Sequence, residues 1–527
     1  MSKASDTAAE LGKAYAFEGP ALELGAVVLE NEAHPEARIR MPLSMLNRHG
    51  LVAGATGTGK TKTLQLIAEQ LSTAGVPVFL ADIKGDVSGM AAPGETSDRI
   101  TQRAKDTATD WNPQGFPCEF LALGGLGNGV PVRATMTSFG PVLLSKVLGL
   151  NETQESSLGL VFHFADKAGL PLLDLKDLRA VISHLTGDAG KDDLKALGGL
   201  STATAGVILR ELIGLEDQGG DVFFGEPEFD TADLMRTTPD GKGVLSVMGL
   251  SAVQDKPKLF STFLMWLLAD LFHDLPEVGD VEKPKLVFFF DEAHLLFDDA
   301  SEAFLDAIAR TVRLIRSKGV GVFFVTQTPK DVPSEVLAQL GNRVQHALRA
   351  FTPDDAKALK ATVSTFPKSD VYDLGELLTQ MGIGEAVVTI LSERGAPTPI
   401  AWTRLRPPAS LMAQLDEAKH KAIVDASELL DDYGQVIDRE SAYEKLLAKV
   451  APEPVDEAEQ QQAPEQEDRG RGGEVAAGVG GAIAGAIGSS IFKSFARSAA
   501  SAAGREISRS IFGTAPRRRR TSTRRRR

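Results

Sequence analysis

The chain has a single cysteine, Cys118, in 527 residues. That excludes an intrachain disulfide and, with no cysteine cluster, a zinc-finger or iron–sulfur site. An N-terminal apolar run is also lacking. The opening MSKASDTAAELGKAYAF carries acidic residues and no long hydrophobic core, so no secretory signal is expected and the protein reads as cytoplasmic. Positive charge is scarce in the body. From Arg469 onward, 14 basic residues face only Glu474 and Glu506, a net +12, so the overall −14 leaves −26 over residues 1–468. The chain is therefore charge-segregated, an acidic body with a basic tail. Such a body does not display the broad cationic surface that neutralises duplex phosphates.

What remains is ordinary globular material, 43% hydrophobic and 24% charged, with room for more than one domain. Within it, Gly54-Ala55-Thr56-Gly57-Thr58-Gly59-Lys60-Thr61 fits the phosphate loop GxxxxGK[ST]. The glycines allow a tight turn that aims backbone N–H groups at phosphate oxygens. Lys60 reaches the β- and γ-phosphates, the Thr61 hydroxyl suits Mg²⁺, and the helix that follows adds its positive end. The context agrees: Gly50–Ala53 reads as a short buried strand, and Leu64, Ile67, Ala68 and Leu71 have helical spacing.

A triphosphate site that hydrolyses needs carboxylates on a neighbouring strand. Leu286–Glu292, LVFFFDE, supplies them: Asp291 to hold Mg²⁺ and Glu292 to polarise the attacking water. The letters DEAH at 291–294 invite comparison with DEAH-box RNA helicases, but no Ser-Ala-Thr segment follows, and His294 is expected either to support the site residues from behind or to be structural. Gln327, at the tip of the buried strand Val320–Thr326, is placed to sense the γ-phosphate. Asp82 and Lys84 end another strand, on the side where open α/β sheets bind ligands. Charge developing on the γ-phosphate is often met by an arginine finger. Arg310, Arg313 and Arg316 recur along one helix face, Arg343 opens a later strand, and Arg316 and Arg343 are the finger candidates carried forward.

Continuous apolar runs alternating with helices predict an α/β fold, a mostly parallel sheet covered on both faces. Residues 1–45 are expected to form a short β cap and 46–405 the nucleotide-binding domain, with a mainly helical insertion over about 95–240. A helical region over 406–450, an acidic Pro/Glu/Gln linker over 451–474, and a Gly/Ala- and Arg-rich tail over 475–527 follow. Val475–Phe492 is near spanning length yet rich in small residues. Flexible low complexity or helix–helix packing is its expectation, with weak association at a membrane surface as the lesser alternative.

In order and spacing, HGLVAGATGTGKT, LADIKGD, VFFFDEAHLLF, RSKGVGVFFVTQTP and QLGNRVQHALRAFTPDD make the chain resemble the bacterial HerA-like ATPases of the HerA/FtsK superfamily of P-loop NTPases over residues 40–405. The resemblance implies a RecA-like core, a homo-hexameric ring, ATP hydrolysis with Mg²⁺, and helicase or translocase action on double-stranded DNA. By motif position, Lys60 and Thr61 carry over as nucleotide and metal contacts, Asp291 and Glu292 as the hydrolytic pair, and Gln327 as the sensor. The stretch before residue 45 leaves little room for the β-barrel of archaeal members, which argues against the same nuclease partner. A secretion-type ATPase acting on protein or at a membrane surface, and a nucleotide-dependent scaffold, are the alternatives. Intact Glu292 disfavours the scaffold.

Overall fold

The structure, a computed structural model, describes residues 3–450 apart from 280, 298, 299 and 301. The linker and tail expected over 451–527 lie outside the described residues. Twelve strands share one mixed sheet: β1 (Ala21–Leu29), β2 (Glu32–Pro42), β3 (Gly50–Ala53), β4 (Val78–Asp82), β5 (Cys118–Leu123), β6 (Val130–Val132), β7 (Leu245–Gly249), β8 (Leu286–Phe290), β9 (Val320–Thr326), β10 (Asn342–His346), β11 (Glu385–Thr389) and β12 (Ala401–Leu405). Their order is β2-β1-β12-β11-β10-β3-β9-β8-β4-β7-β5-β6. From β10 to β6 every pairing is parallel, and the four strands beyond β10 are added antiparallel.

The apolar runs are continuous because both faces of the sheet are covered. Side chains alternate across a strand. Leu286, Phe288 and Phe290 therefore join one core with Phe79, Phe324 and the inserted helices. Val287 and Phe289 join the other, with Val52, Phe323 and Leu64, Ile67 and Leu71 of helix Lys60–Thr73. Phe288, Phe289 and Phe290 are wholly buried, so no polar face is left to break the run.

The expectation for the N-terminal strands is corrected. The strands before residue 45 do not stand apart as a cap: Gly25–Val27 pair with Thr403–Leu405, so β1 and β2 extend the main sheet. Gly25 permits this approach, since a Cβ there would lie 2.0 Å from the Arg404 carbonyl oxygen. Within 95–240, the stretch expected to be mainly helical, β5 pairs in parallel with β7, and β6 in parallel with β5. β6 is three residues long with Pro131 at its centre, a donor-less residue that fits only at a sheet edge. Helices Met136–Val147, Glu152–Lys167, Leu175–Thr186 and Thr202–Asp217 then build the helical part.

Helix Lys60–Thr73 carries polar Lys62, Gln65 and Glu69 on one stripe, yet Gln65 and Glu69 are buried. The chain at 409–412 crosses this stripe. Glu69 accepts from the Ala409 N–H at 2.8 Å and from the N–H and Oγ of Ser410 at 3.2 and 3.1 Å. Gln65 Nε2 donates to the Leu411 carbonyl at 3.1 Å, and Lys62 Nζ to that of Met412. Removing Glu69 strands buried N–H groups, each costing about 1–3 kcal/mol. Glu69→Ala is therefore expected to destabilise the protein by about 3 kcal/mol in denaturant titration. An unchanged midpoint would mean that the crossing segment does not depend on Glu69.

Candidate functional site

The C-terminal ends of β3, β9, β8 and β4 lie side by side, so the segments that follow them converge on one edge of the sheet. After β3 comes the phosphate loop. Gly54, Gly57 and Gly59 have φ of +156°, +79° and +114°. Gly54 is sterically required, since a Cβ there would lie 2.4 Å from His346 Cβ. Gly54 N–H donates to the Thr326 carbonyl and Ala55 N–H to that of Ala347, so β9 and the end of β10 hold the loop entrance. The Thr58 hydroxyl donates to the Ala55 carbonyl at 2.7 Å, and Gly384 N–H to the Thr58 carbonyl at 2.9 Å. Thr56 is exposed and Thr61 half-buried at the start of the helix. That helix has free N–H groups in its first turn, as every helix N-terminus does.

Lys60 is buried, and its ammonium donates to the carbonyls of Gly54 at 2.7 Å and Ala55 at 3.3 Å. Burial lowers its pKa, opposed by the charge of Glu292. Beneath the loop, wholly buried His346 bonds Thr63 Oγ1 through Nε2 at 2.8 Å. Burial pushes that imidazole down to about 4, which keeps it uncharged below Lys60. Likewise His49, pushed down to about 4 by burial, accepts from the Val322 N–H at 3.1 Å and ties β3 to β9.

After β8 come the two carboxylates. Asp291 is 3% exposed; its Oδ1 accepts from the Glu292 N–H at 2.9 Å, while Oδ2 has no hydrogen-bond partner among the described residues. Burial, and next the charge of Glu292, push Asp291 up to about 7. A buried carboxyl oxygen so placed beside a phosphate loop fits a hard divalent cation, for which oxygen is the preferred donor. Glu292 has φ of +46°, a conformation few non-glycine residues adopt. Its Oε1 takes the ammonium of Lys84, and its Oε2 lies 3.3 Å from His294 Nδ1. Burial raises the Glu292 pKa, but Lys84 outweighs it, and the net direction is down. His294 thus touches the carboxylate pair itself.

Gln327 is exposed at the end of β9, between the phosphate loop and the carboxylates. The neighbouring Thr326 and Thr328 are turned inward by Asp331, whose carboxylate accepts from both hydroxyls at 2.8 Å. The arginines lie elsewhere. Arg316 precedes β9, at the far end of a seven-residue strand from Gln327, a span of roughly 20 Å at the usual rise. Arg343 pairs with Leu51 in the register. It donates to the carbonyls of Leu340 and Thr365 and lies 5.8 Å over the Phe366 ring. Neither is brought to the phosphate loop of its own chain. Arg310 and Arg313 belong to helix Glu302–Ile315.

Sequence reasoning did not find His346 or the cleft beside the loop. The cleft, about 470 Å³, is lined by Gly57, Thr58, Arg349, Phe351, Thr379 and Ile383. Phe351 and Ile383 are 81% and 73% exposed. The run HALRAFTP after a buried strand was the available signal.

The family described as helicase HerA-like, C-terminal, matches residues 28–520. The DNA double-strand break repair helicase HerA of Sulfurisphaera tokodaii is 22% identical over 363 residues, 67% of this chain and 64% of that protein. Its namesake in Saccharolobus solfataricus is 20% identical over 383 residues, 72% of this chain and 68% of that protein. The chain thus spans less than two thirds of the first of these relatives. Among solved structures, the plasmid coupling protein TrwB with a non-hydrolysable ATP analogue superposes with a TM-score of 0.51 at 17% identity, covering 78% of this chain and 94% of that one. At that identity the likeness establishes the fold alone, a RecA-like core.

Proposed function

This chain belongs to the HerA-like helicase family, and from that membership we propose that it is an ATP-hydrolysing motor that translocates duplex DNA as a ring-shaped homo-oligomer. The observation that carries the reading is the convergence of Lys60 with the Asp291–Glu292 pair on one sheet edge, with β9 between them. In this reading the loop residues Gly54–Thr61 cradle the triphosphate of ATP, with Lys60 exchanging its loop carbonyls for phosphate oxygens. The cleft at Phe351 and Ile383 has room for the base. Thr61 and Asp291 are the residues that would hold Mg²⁺, which when bound offsets phosphate charge. Glu292 takes the proton of the attacking water, since a carboxylate with a lowered pKa is ionised and ready at neutral pH. Gln327 meets the γ-phosphate side of the site from β9.

The distance of Arg316 and Arg343 from their own phosphate loop supports the oligomer. Arg316, at the opposite end of β9 from the site, acts as a finger only on a neighbouring subunit. The names of the HerA relatives, DNA repair helicases, support DNA as the substrate. Among the described residues, no helix is long and apolar enough to cross a membrane.

ATPase rate measured with and without long duplex DNA tests the reading. The rate is expected to rise on adding duplex, and the rise to shrink as salt increases, because phosphate contacts release counterions. Turnover indifferent to DNA, together with no salt-sensitive DNA binding, would move the substrate to protein or a membrane surface.

A further inference from the structure

Lys84 belongs to none of the roles above, yet it is the one cation that touches the carboxylate of Glu292 through an ion pair with a lysine or arginine among the described residues. Its placement is built. β4 lies next to β8 with Ala81 opposite Phe290, and the Asp291 N–H donates to the Ala81 carbonyl at 3.4 Å. Just past Ala81, buried Asp82 folds the chain back: its carboxylate accepts from the Gly85 N–H at 2.7 Å and the Val87 N–H at 3.2 Å. Gly85, at φ +75°, completes the turn. The loop is braced from outside as well, since Ser88 Oγ accepts from the Leu415 N–H at 3.1 Å. A loop so fixed carries its lysine across to β8, where the Glu292 backbone already holds a rare conformation.

We infer that Lys84 is the positioning residue of the hydrolytic step: from its braced loop it fixes the Glu292 carboxylate in the place from which that group receives the water proton. The inference rests on the proposed role of Glu292. Among the described residues Lys84 donates its hydrogen bond to Glu292 and none to the phosphate loop, reaching Lys60 through charge alone, so that bond bears on turnover rather than on nucleotide capture.

Steady-state ATPase of the full chain tests this with Lys84→Met, Lys84→Arg, Glu292→Gln and the Lys84→Met/Glu292→Gln double variant. Misplacing a catalytic group by about 1 Å costs about a hundredfold. Lys84→Met is therefore expected to lower kcat by about that factor while KM for ATP stays put, and Lys84→Arg to recover part of the loss. The double variant should be no slower than Glu292→Gln alone, because two residues acting as a unit are non-additive. A rise in KM with kcat intact, or a double variant slowed by the product of the two factors, overturns the inference. The two failures are separable: a Glu292→Gln protein that still turns over removes the base itself and this inference with it, whereas a dead Glu292→Gln protein beside a normal Lys84→Met protein removes only the role of Lys84.

Discussion

A Glu292→Gln protein is expected to bind ATP undiminished and to hydrolyse it about 10²- to 10⁴-fold more slowly, the contribution usual for a positioned general base. The amide keeps the shape of the carboxylate, and its oxygen still accepts from Lys84, so the loop after β4 and the turn after β8 have no reason to move. What is lost is the capacity to take a proton. Binding should be spared for a second reason. The charge of Glu292 is, after burial, the next largest cause holding Asp291 up at about 7. Removing that charge eases ionisation of Asp291, which would favour a cation there. Turnover by phosphate release, set beside titration with a fluorescent ATP analogue, measures both halves. Turnover within a few-fold of the parent would rule out Glu292 as the base, and lost binding would mean that the substitution had damaged the cradle.

The parts of this site that were legible in the sequence are those whose chemistry and geometry lie within one short segment. GATGTGKT contains its own turn, donors and lysine, and LVFFFDE contains both its buried strand and its acids. The parallel sheet was legible for a related reason. A run such as Phe288-Phe289-Phe290 makes sense only where both faces are covered, and the two cores receive its side chains alternately. β5 and β6 were not legible, because six and three residues inside a helical stretch carry too little periodicity to separate strand from helix. The partner of Lys84 was hidden by distance along the chain, 208 residues separating it from Glu292. The same holds for Gln65 and Glu69. On an isolated helix they read as a solvated stripe, and only the arrival of the segment at 409–412 turns them into buried acceptor and donor. His294 is expected from the sequence to support the site or the fold, and its imidazole Nδ1 lies 3.3 Å from the Glu292 carboxylate.

Lys60→Met is expected to separate folding from binding, because its two effects run in opposite directions. The Lys60 ammonium is buried, and burial is the largest influence on it, lowering its pKa. Its donors are taken up by the Gly54 and Ala55 carbonyls rather than by a carboxylate. Replacing it by an apolar chain of similar length removes a buried charge at the cost of two hydrogen bonds, so the melting temperature without nucleotide should not fall appreciably. Affinity for the triphosphate should collapse. Hydrogen bonds to charged groups contribute about 1.5–3 kcal/mol each, so losing the lysine–phosphate contact weakens binding by about a hundredfold. Thermal shift makes the contrast visible. ATP at a hundred times the parent Kd stabilises the parent by about 2.7 kcal/mol, and the same concentration stabilises the variant by only about 0.4 kcal/mol once its Kd has risen a hundredfold. A variant that melts well below the parent without nucleotide would show that Lys60 supports the loop structurally. A variant with the full ATP-dependent shift would show that the phosphates are held by the loop backbone alone.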